Sequence, residues 1–346
     1  MTFGILGSGS WGTALAKILT DNGQTIYWWN RSETAIQQFK LRYHNTQYLP
    51  SARFNINQLH LTTNAEEVIR NSTTIVIAIP SAYTIDALSA LPQNIFEEKK
   101  IVSAIKGILP EENLLLNDYL KEHFNVALNN YFAVLGPCHA EEVVQEKLSY
   151  LTFTGIDTDT TIDIAANFKT PYINTTVNKD IYGVQYAAVL KNIYAVAAGI
   201  AHGLDYGDNF LSVLIANSAD EMAGFLRKAG IINAEVGYIE HKKSSSVINE
   251  HNNYAASVYL GDLLVTCYSL HSRNRSFGNM IGKGYSVKAA QLEMSMVAEG
   301  YYASKCMFII NKEVMADMPI ATAVYNILWN GLQASRGLKE IEEDLV

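Results

Sequence analysis

An α/β domain built on a mostly parallel sheet, followed by an all-α domain, is the fold class this sequence predicts, and three observations carry that prediction. Short apolar runs alternate with helical periods through the first half, the first run ends in a glycine-rich turn, and from Asp180 onward long helical patterns replace the strand-like runs. Phe3-Gly4-Ile5-Leu6 reads as the first strand, Gly7-Ser8-Gly9-Ser10-Trp11-Gly12 follows it directly, and Thr13 to about Asn22-Gly23 reads as a helix. Such a turn permits a tight bend at Gly7, close approach of backbone N–H groups to a pyrophosphate at Gly9, and close helix-on-strand contact at Gly12. The helix aims its positive N-terminal end at the phosphates. Three spaced glycines often mark an ordinary turn; a strand before and a helix after make a dinucleotide site the better reading, and the first domain Rossmann-type.

Thr25-Ile26-Tyr27-Trp28-Trp29 reads as the second strand, with Asn30-Arg31-Ser32-Glu33 where the adenosine ribose should lie. A site selective for NAD usually carries Asp or Glu at this strand end. Asn30 and Arg31 stand there instead, which favours NADP slightly over NAD, although Glu33 is placed to restore NAD preference and a lone Arg is most often a solvated surface cation. Further strands are expected at Thr74 to Ile79, Lys100 to Ile105 and Tyr131 to Leu135, ending respectively in Pro80-Ser81, Lys106-Gly107 and Gly136-Pro137-Cys138-His139. Open α/β sheets bind ligands at such C-terminal strand ends. Strands near 150–154 and 171–174 complete the sheet, which places one domain over 1–180 and a helical domain over 181–346.

Bulk properties narrow the function. The length of 346 residues and 49% hydrophobic content suit two cores. A formal net charge of -8 gives no polyelectrolyte footprint for nucleic acid. Cys138, Cys267 and Cys306 are few, odd in number and far apart, which indicates neither a disulfide framework nor a cysteine-based metal site and suits a reducing cytoplasm. The sheet begins by about residue 2, so no targeting segment is expected, and no run of 18 uncharged apolar residues predicts a membrane span. The polar stretch from His241 to Asn253 reads as a solvated loop.

The helix from Gly183 to Ala201 is apolar almost all round and should run through the middle of its domain. Lys191 is its only charged residue. A desolvated lysine loses preference for its charge, its pKa falls from about 10.4 toward neutrality, and it can exchange a proton with a carbonyl or hydroxyl oxygen. The competing reading is a lysine that snorkels to solvent. Asp262 and Thr266 stand at i and i+4, on one helix face. Ser272, Arg273 and Asn274 are donor types suited to a phosphate monoester, although Arg273 and Arg275 alone would read as a solvated basic turn.

Taken in order, Gly7 to Gly12, Lys106-Gly107, Gly136-Pro137 with His139-Ala140-Glu141-Glu142, Leu190-Lys191-Asn192, Ala198-Gly199-Ile200-Ala201, Gly207-Asp208-Asn209, Gly261-Asp262-Leu263, Arg273-Asn274-Arg275 and Glu299-Gly300 closely resemble the bacterial NAD(P)-dependent sn-glycerol-3-phosphate dehydrogenases. The matches run from residue 3 to beyond 300. The resemblance implies reversible reduction of dihydroxyacetone phosphate to sn-glycerol 3-phosphate, the backbone precursor of glycerophospholipids. It also implies a second domain like the C-terminal domain of 6-phosphogluconate dehydrogenase, and a homodimer. Carried over by position, Gly7, Gly9, Ser10, Trp11, Gly12, Arg31, Lys106, Ala140 and Arg273 contact the cofactor, with Val297 and Glu299 reaching it from the helical domain. Lys106, Gly136, Cys138, Lys191, Asp262, Ser272, Arg273 and Asn274 surround the substrate; Lys191 is the acid/base, Asp262 orients it, and Lys106 adds positive potential. No metal is required, and a cleft between domains would exclude water.

The chain departs from the family pattern at two places. Cys138 stands where the family has a hydroxyl residue, which leaves its backbone N–H as the alternative donor. Ala216-Asn217-Ser218 replaces the customary Thr-Arg-Gly, and the segment from Glu221 to Tyr259 is longer and more polar than usual. Two other readings stand beside the main one: a 3-hydroxyacid or ketopantoate-type reductase, which would not require the Ser272-Arg273-Asn274 set, and a non-catalytic NADP-sensing module.

Overall fold

The protein, described from a computed structural model, is resolved into elements over residues 1–231, 258–294 and 296–345. The stretch 241–253 lies outside the described residues. In chain order the first half forms β1 (Phe3–Leu6), α1 (Ser10–Asp21), β2 (Ile26–Trp29), α2 (Glu33–Arg42), β3 (Leu59–Thr62), α3 (Ala65–Arg70), β4 (Thr74–Ile77), α4 (Thr84–Leu88), β5 (Lys100–Ser103), α5 (Leu116–Phe124), β6 (Tyr131–Leu135), α6 (Ala140–Val144), β7 (Ser149–Thr154), α7 (Thr158–Ala166) and β8 (Ile173–Asn178). The strands make one sheet in the order β3-β2-β1-β4-β5-β6-β7-β8, parallel except where β7 runs against β6. β1, β4 and β6 are buried along their whole length, as parallel strands covered on both faces must be. Phe3, Trp28, Phe39, Phe54, Phe132, Phe153 and Phe168 belong to one core with the sheet's inward Ile and Val side chains.

Two expectations need correction here. β3 has no counterpart in the sequence reading: its four residues, Leu-His-Leu-Thr, are only partly buried because it is an edge strand with a single neighbour. The first helix begins at Ser10, three residues earlier than its apolar period suggests, because Gly9 already accepts the first helical hydrogen bond, from Thr13 N at 2.9 Å.

The chain divides into two compact units, one of residues 1–105 and 114–181 and the other of 106–113 and 182–346. The segment after β5 therefore packs with the helices. The second unit contains α8 (Ile181–Gly203), α9 (Asp208–Lys228), α10 (Leu260–Tyr268), α11 (Arg273–Gly282), α12 (Val287–Glu293), α13 (Glu299–Val314), α14 (Pro319–Trp329) and α15 (Ala334–Asp344). Among the described residues α8 alone is long and apolar enough to cross a membrane, and nearly all of it is buried inside the protein, as a core helix would be.

α8 meets α11 backbone to backbone. A Cβ on Gly199 would fall 2.1 Å from the Arg275 carbonyl oxygen, and one on Gly278 would fall 2.1 Å from that of Val196. One turn further on, Gly203 and Gly282 repeat the arrangement, each within 2.4 Å of a carbonyl oxygen of the opposite helix. A different device holds α9 to α14. Glu221, buried on α9, accepts from Ile320 N at 2.7 Å and Ala321 N at 3.0 Å, so a distant carboxylate caps a helix whose own N-cap residue, Met318, offers no side-chain bond. Burial pushes the Glu221 carboxyl up from 4.5 to about 7, outweighing the two N–H bonds that lower it.

Two stability measurements follow from these contacts. Gly199→Ala should cost roughly 1–3 kcal/mol by urea denaturation because the helices must part, whereas Gly224→Ala on α9, where a Cβ meets nothing within 4 Å, should stabilise by roughly 0.5–1 kcal/mol. Equal effects would contradict the close contact. Because folded Glu221 holds a proton that the unfolded chain releases, it makes the unfolding free energy fall as pH rises from 4.5 to about 7. Urea midpoints across that window should show this slope, and Glu221→Gln should lose it.

Candidate active site

The first unit builds the glycine-rich turn between β1 and α1. Gly7 follows β1 with φ +117, and a Cβ there would lie 2.5 Å from the Ala78 carbonyl oxygen, so only glycine fits between β1 and the end of β4. A Cβ on Gly12 would lie 2.3 Å from the Gly7 carbonyl oxygen, which explains the last glycine of the motif. Gly9 differs: a Cβ on it meets nothing within 4 Å, and it caps α1 without any side-chain hydrogen bond. Open space at Gly9 beside the start of a helix suits a pyrophosphate, so the residues present fit a dinucleotide. Ser10 is buried at the head of α1 and Trp11 is half-buried beside it.

Past β2, Asn30 turns inward, its N–H bonding to Thr62 O at 3.0 Å and its side chain reaching back to Trp28 O at 3.4 Å. Arg31 is exposed, and Ser32 caps α2 by accepting from Ala35 N at 3.3 Å. At the end of β6, Gly136 sits where a Cβ would fall 2.5 Å from the Tyr150 carbonyl oxygen. The Cys138 thiol donates to that same oxygen at 3.1 Å, and its backbone N–H donates to Gly136 O at 2.8 Å. The backbone donor expected to replace the missing hydroxyl is thus already spent on the turn, because the turn closes through it. Ala140 is buried at the first position of α6.

The second unit buries an ion pair. Lys191 on α8 is 3% exposed and Asp262 on α10 is 1% exposed. Lys191 Nζ lies 2.5 Å from Asp262 Oδ1 and donates to Thr266 Oγ1 at 3.2 Å, while the Thr266 hydroxyl donates to Asp262 O at 2.5 Å. Lys191 is therefore not a snorkelling lysine. The adjacent carboxylate favours the ammonium form that burial opposes. Cys267, the next residue on α10 after Thr266, has its thiol pushed up to about 12 by burial despite Lys191 and Arg275, so it stays protonated.

One residue past Lys191, a chain of amides joins four segments. Asn192 Nδ2 donates to Lys106 O at 2.7 Å, Asn274 Nδ2 donates to Asn192 Oδ1 at 2.8 Å, and Gly300 N donates to Asn274 Oδ1 at 2.9 Å. Asn274 thereby caps α13, whose N-cap residue Ala298 has no side-chain acceptor in place. Ser272 is buried and caps α11, accepting from Arg275 N at 3.3 Å. Arg273, first residue of α11, is exposed, with Nη1 3.7 Å from Met296 Sδ. Val297 lies just before α13 and Glu299 opens it. Thr266 and Asn192 are the functional neighbours that spacing identified only as polar companions; their partners lie 75 and 82 residues away in sequence. Asn217 and Ser218, in place of the family's Arg-Gly, donate to carbonyls one turn back on α9, at 2.9 and 2.7 Å.

A phosphate loop in one unit and a buried lysine–carboxylate pair in a helical unit define a two-domain nicotinamide-dependent oxidoreductase. Models of the N-terminus and C-terminus of NAD-dependent glycerol-3-phosphate dehydrogenase match residues 2–160 and 180–339. A Bacillus licheniformis protein named glycerol-3-phosphate dehydrogenase (NAD(P)+) is 33% identical over 342 residues, 97% of this chain and 92% of its own. One of the same name from Bacillus subtilis is 32% identical over 351 residues, 99% and 96% of the two chains. The crystal structure of glycerol-3-phosphate dehydrogenase from Coxiella burnetii superposes with a TM-score of 0.86 at 25% identity, covering 99% of this chain and 98% of that one. The chain belongs to the NAD-dependent glycerol-3-phosphate dehydrogenase family.

Asp262→Asn should lower stability by roughly 3–5 kcal/mol in urea denaturation, because it leaves the Lys191 ammonium buried without its counter-charge. A loss below about 1 kcal/mol would show that the pair is solvated.

Proposed function

We propose that this chain catalyses the reversible NAD(P)H-dependent reduction of dihydroxyacetone phosphate to sn-glycerol 3-phosphate, with Lys191 as the acid/base. The observation that carries the reading is the buried Lys191–Asp262 pair in a chain of this family. When bound, the cofactor supplies the hydride. As C2 of the ketone is reduced, negative charge grows on its oxygen, and Lys191 Nζ stabilises and then protonates that oxygen; in the oxidative direction the same nitrogen takes the proton back. Asp262 and Thr266 fix Nζ, and Thr266 can accept from the lysine because its own proton is committed to Asp262 O. Loss of that proton leaves a neutral amine beside a carboxylate, which favours its return.

The substrate phosphate is assigned to Arg273 and the start of α11, where a guanidinium and a helix N-terminus both attract a dianion. Ser272 and Asn274 complete that set, and Lys106, Gly136 and Cys138 flank the triose. Asn274, committed to Asn192 and Gly300, contributes chiefly by fixing the frame. Gly7 to Gly12, Arg31 and Ala140 hold the cofactor, joined by Val297 and Glu299, with NADP slightly favoured over NAD because Arg31 rather than an acid follows β2. Three buried free cysteines support a cytoplasmic location, and the resemblance to the family supports a homodimer.

Oxidation of NADPH and NADH, followed by absorbance with dihydroxyacetone phosphate as acceptor, should show turnover. None with either cofactor, or faster turnover of ketopantoate, would refute the assignment. Lys191→Ala should lower kcat by ~10²–10⁴ while leaving cofactor affinity intact, and a kcat near that of the parent would remove Lys191 from the chemistry.

A further inference from the structure

The glycine loop is held from outside by two side chains that the motif does not contain. Trp28 Nε1, fully buried on β2, donates to Gly7 O at 2.9 Å. Asn45, which lies beyond α2 and is 8% exposed, donates through Nδ2 to Ser8 O at 2.8 Å and to Thr13 Oγ1 at 2.9 Å. Its Oδ1 accepts from Gln47 N and Tyr48 N, both at 3.2 Å. Both N–H donors and both lone pairs of the amide are thus satisfied, which fixes its orientation.

In a planar trans peptide the C=O and the following N–H point in opposite directions. A donor that holds the Ser8 carbonyl therefore turns the Gly9 N–H the other way. At Gly9 a Cβ would meet nothing within 4 Å, so the loop has open space beside it. Trp28 acts likewise on the Gly7 carbonyl and the Ser8 N–H. A carbonyl oxygen turned toward a pyrophosphate would repel it, and these two carbonyls are instead tied to protein donors.

We infer that Asn45 is a positioning residue for cofactor binding, holding the Ser8 carbonyl away from the pyrophosphate so that successive loop N–H groups face it. The inference rests on the reading of Gly7 to Gly12 as the cofactor loop. It applies equally to NADH and NADPH, since the pyrophosphate is common to both.

The test uses the full-length chain with Asn45→Ala and Asn45→Ser, the latter too short to reach Ser8 yet able to accept from the turn. Kd for NADPH and NADH is read by fluorescence, beside kcat at saturating cofactor, KM for dihydroxyacetone phosphate, and the unfolding temperature. Both variants should raise both cofactor Kd values by roughly tenfold or more while kcat and the substrate KM stay within about threefold, a split that a general loss of stability does not produce. Unchanged cofactor Kd in either folded variant, or a parallel loss of kcat and substrate affinity, overturns the inference. Gly9→Val separates it from its premise. If Gly9→Val abolishes cofactor binding while the Asn45 variants retain it, only the role of Asn45 falls; if Gly9→Val also binds normally, the loop assignment falls with it.

Discussion

The seam of glycines between α8 and α11 is the constraint on which the helical unit depends. Helix axes normally stand 8–10 Å apart, at a distance set by the side chains between them. Here Gly199 and Gly203 face Gly278 and Gly282, and the two backbones themselves are in contact. That contact brings the start of α11 within reach of α8, so Asn274 can bond Asn192 and in turn cap α13. Neighbouring positions on a helix differ by about 100° in direction. Lys191 can therefore address α10 while Asn192, one residue on, addresses α11 and the segment after β5. One helix distributes a buried ammonium and a structural amide to different neighbours.

The lysine–carboxylate pair is costly as a stabilising device. Desolvating both charges takes back most of what their attraction provides, and well-packed apolar residues of the same volume do as well or better. What the pair does is fix position: the ammonium is held out of water between two acceptors, Asp262 Oδ1 and Thr266 Oγ1. The protonated thiol of Cys267 nearby adds no competing charge.

Local sequence displayed the strands of the sheet, the glycine loop and the buried lysine because each is written in consecutive residues: an apolar run, a spaced motif, one charge on an apolar helix. β3 escaped because an edge strand four residues long has too little buried surface to leave an apolar run. Asp262 and Thr266 were visible as a face, but the partner of that face was not, since 75 residues separate Lys191 from Thr266. Asn45 left no signal at all. A polar residue between helix and strand reads as loop, and only the folded chain shows its amide against Ser8. Glu221 was equally silent, because a carboxylate that caps a helix 99 residues away has no local signature. At Cys138 the sequence displayed the substitution, and the backbone determined its result.

The course of the chain through the two units bears on how such a protein can be divided. The polypeptide leaves the sheet unit after Ile105, returns at Leu114, and leaves again after Ile181. A gene fragment that starts at Tyr182 would encode all but the first residue of the second unit's helices and still omit the Lys106 carbonyl to which Asn192 donates. During synthesis, residues 106–113 emerge well before α8 and must wait for their partner. The second unit is thus discontinuous in sequence, and a single cut between Ile181 and Tyr182 would part its helices from the 106–113 segment that packs with them.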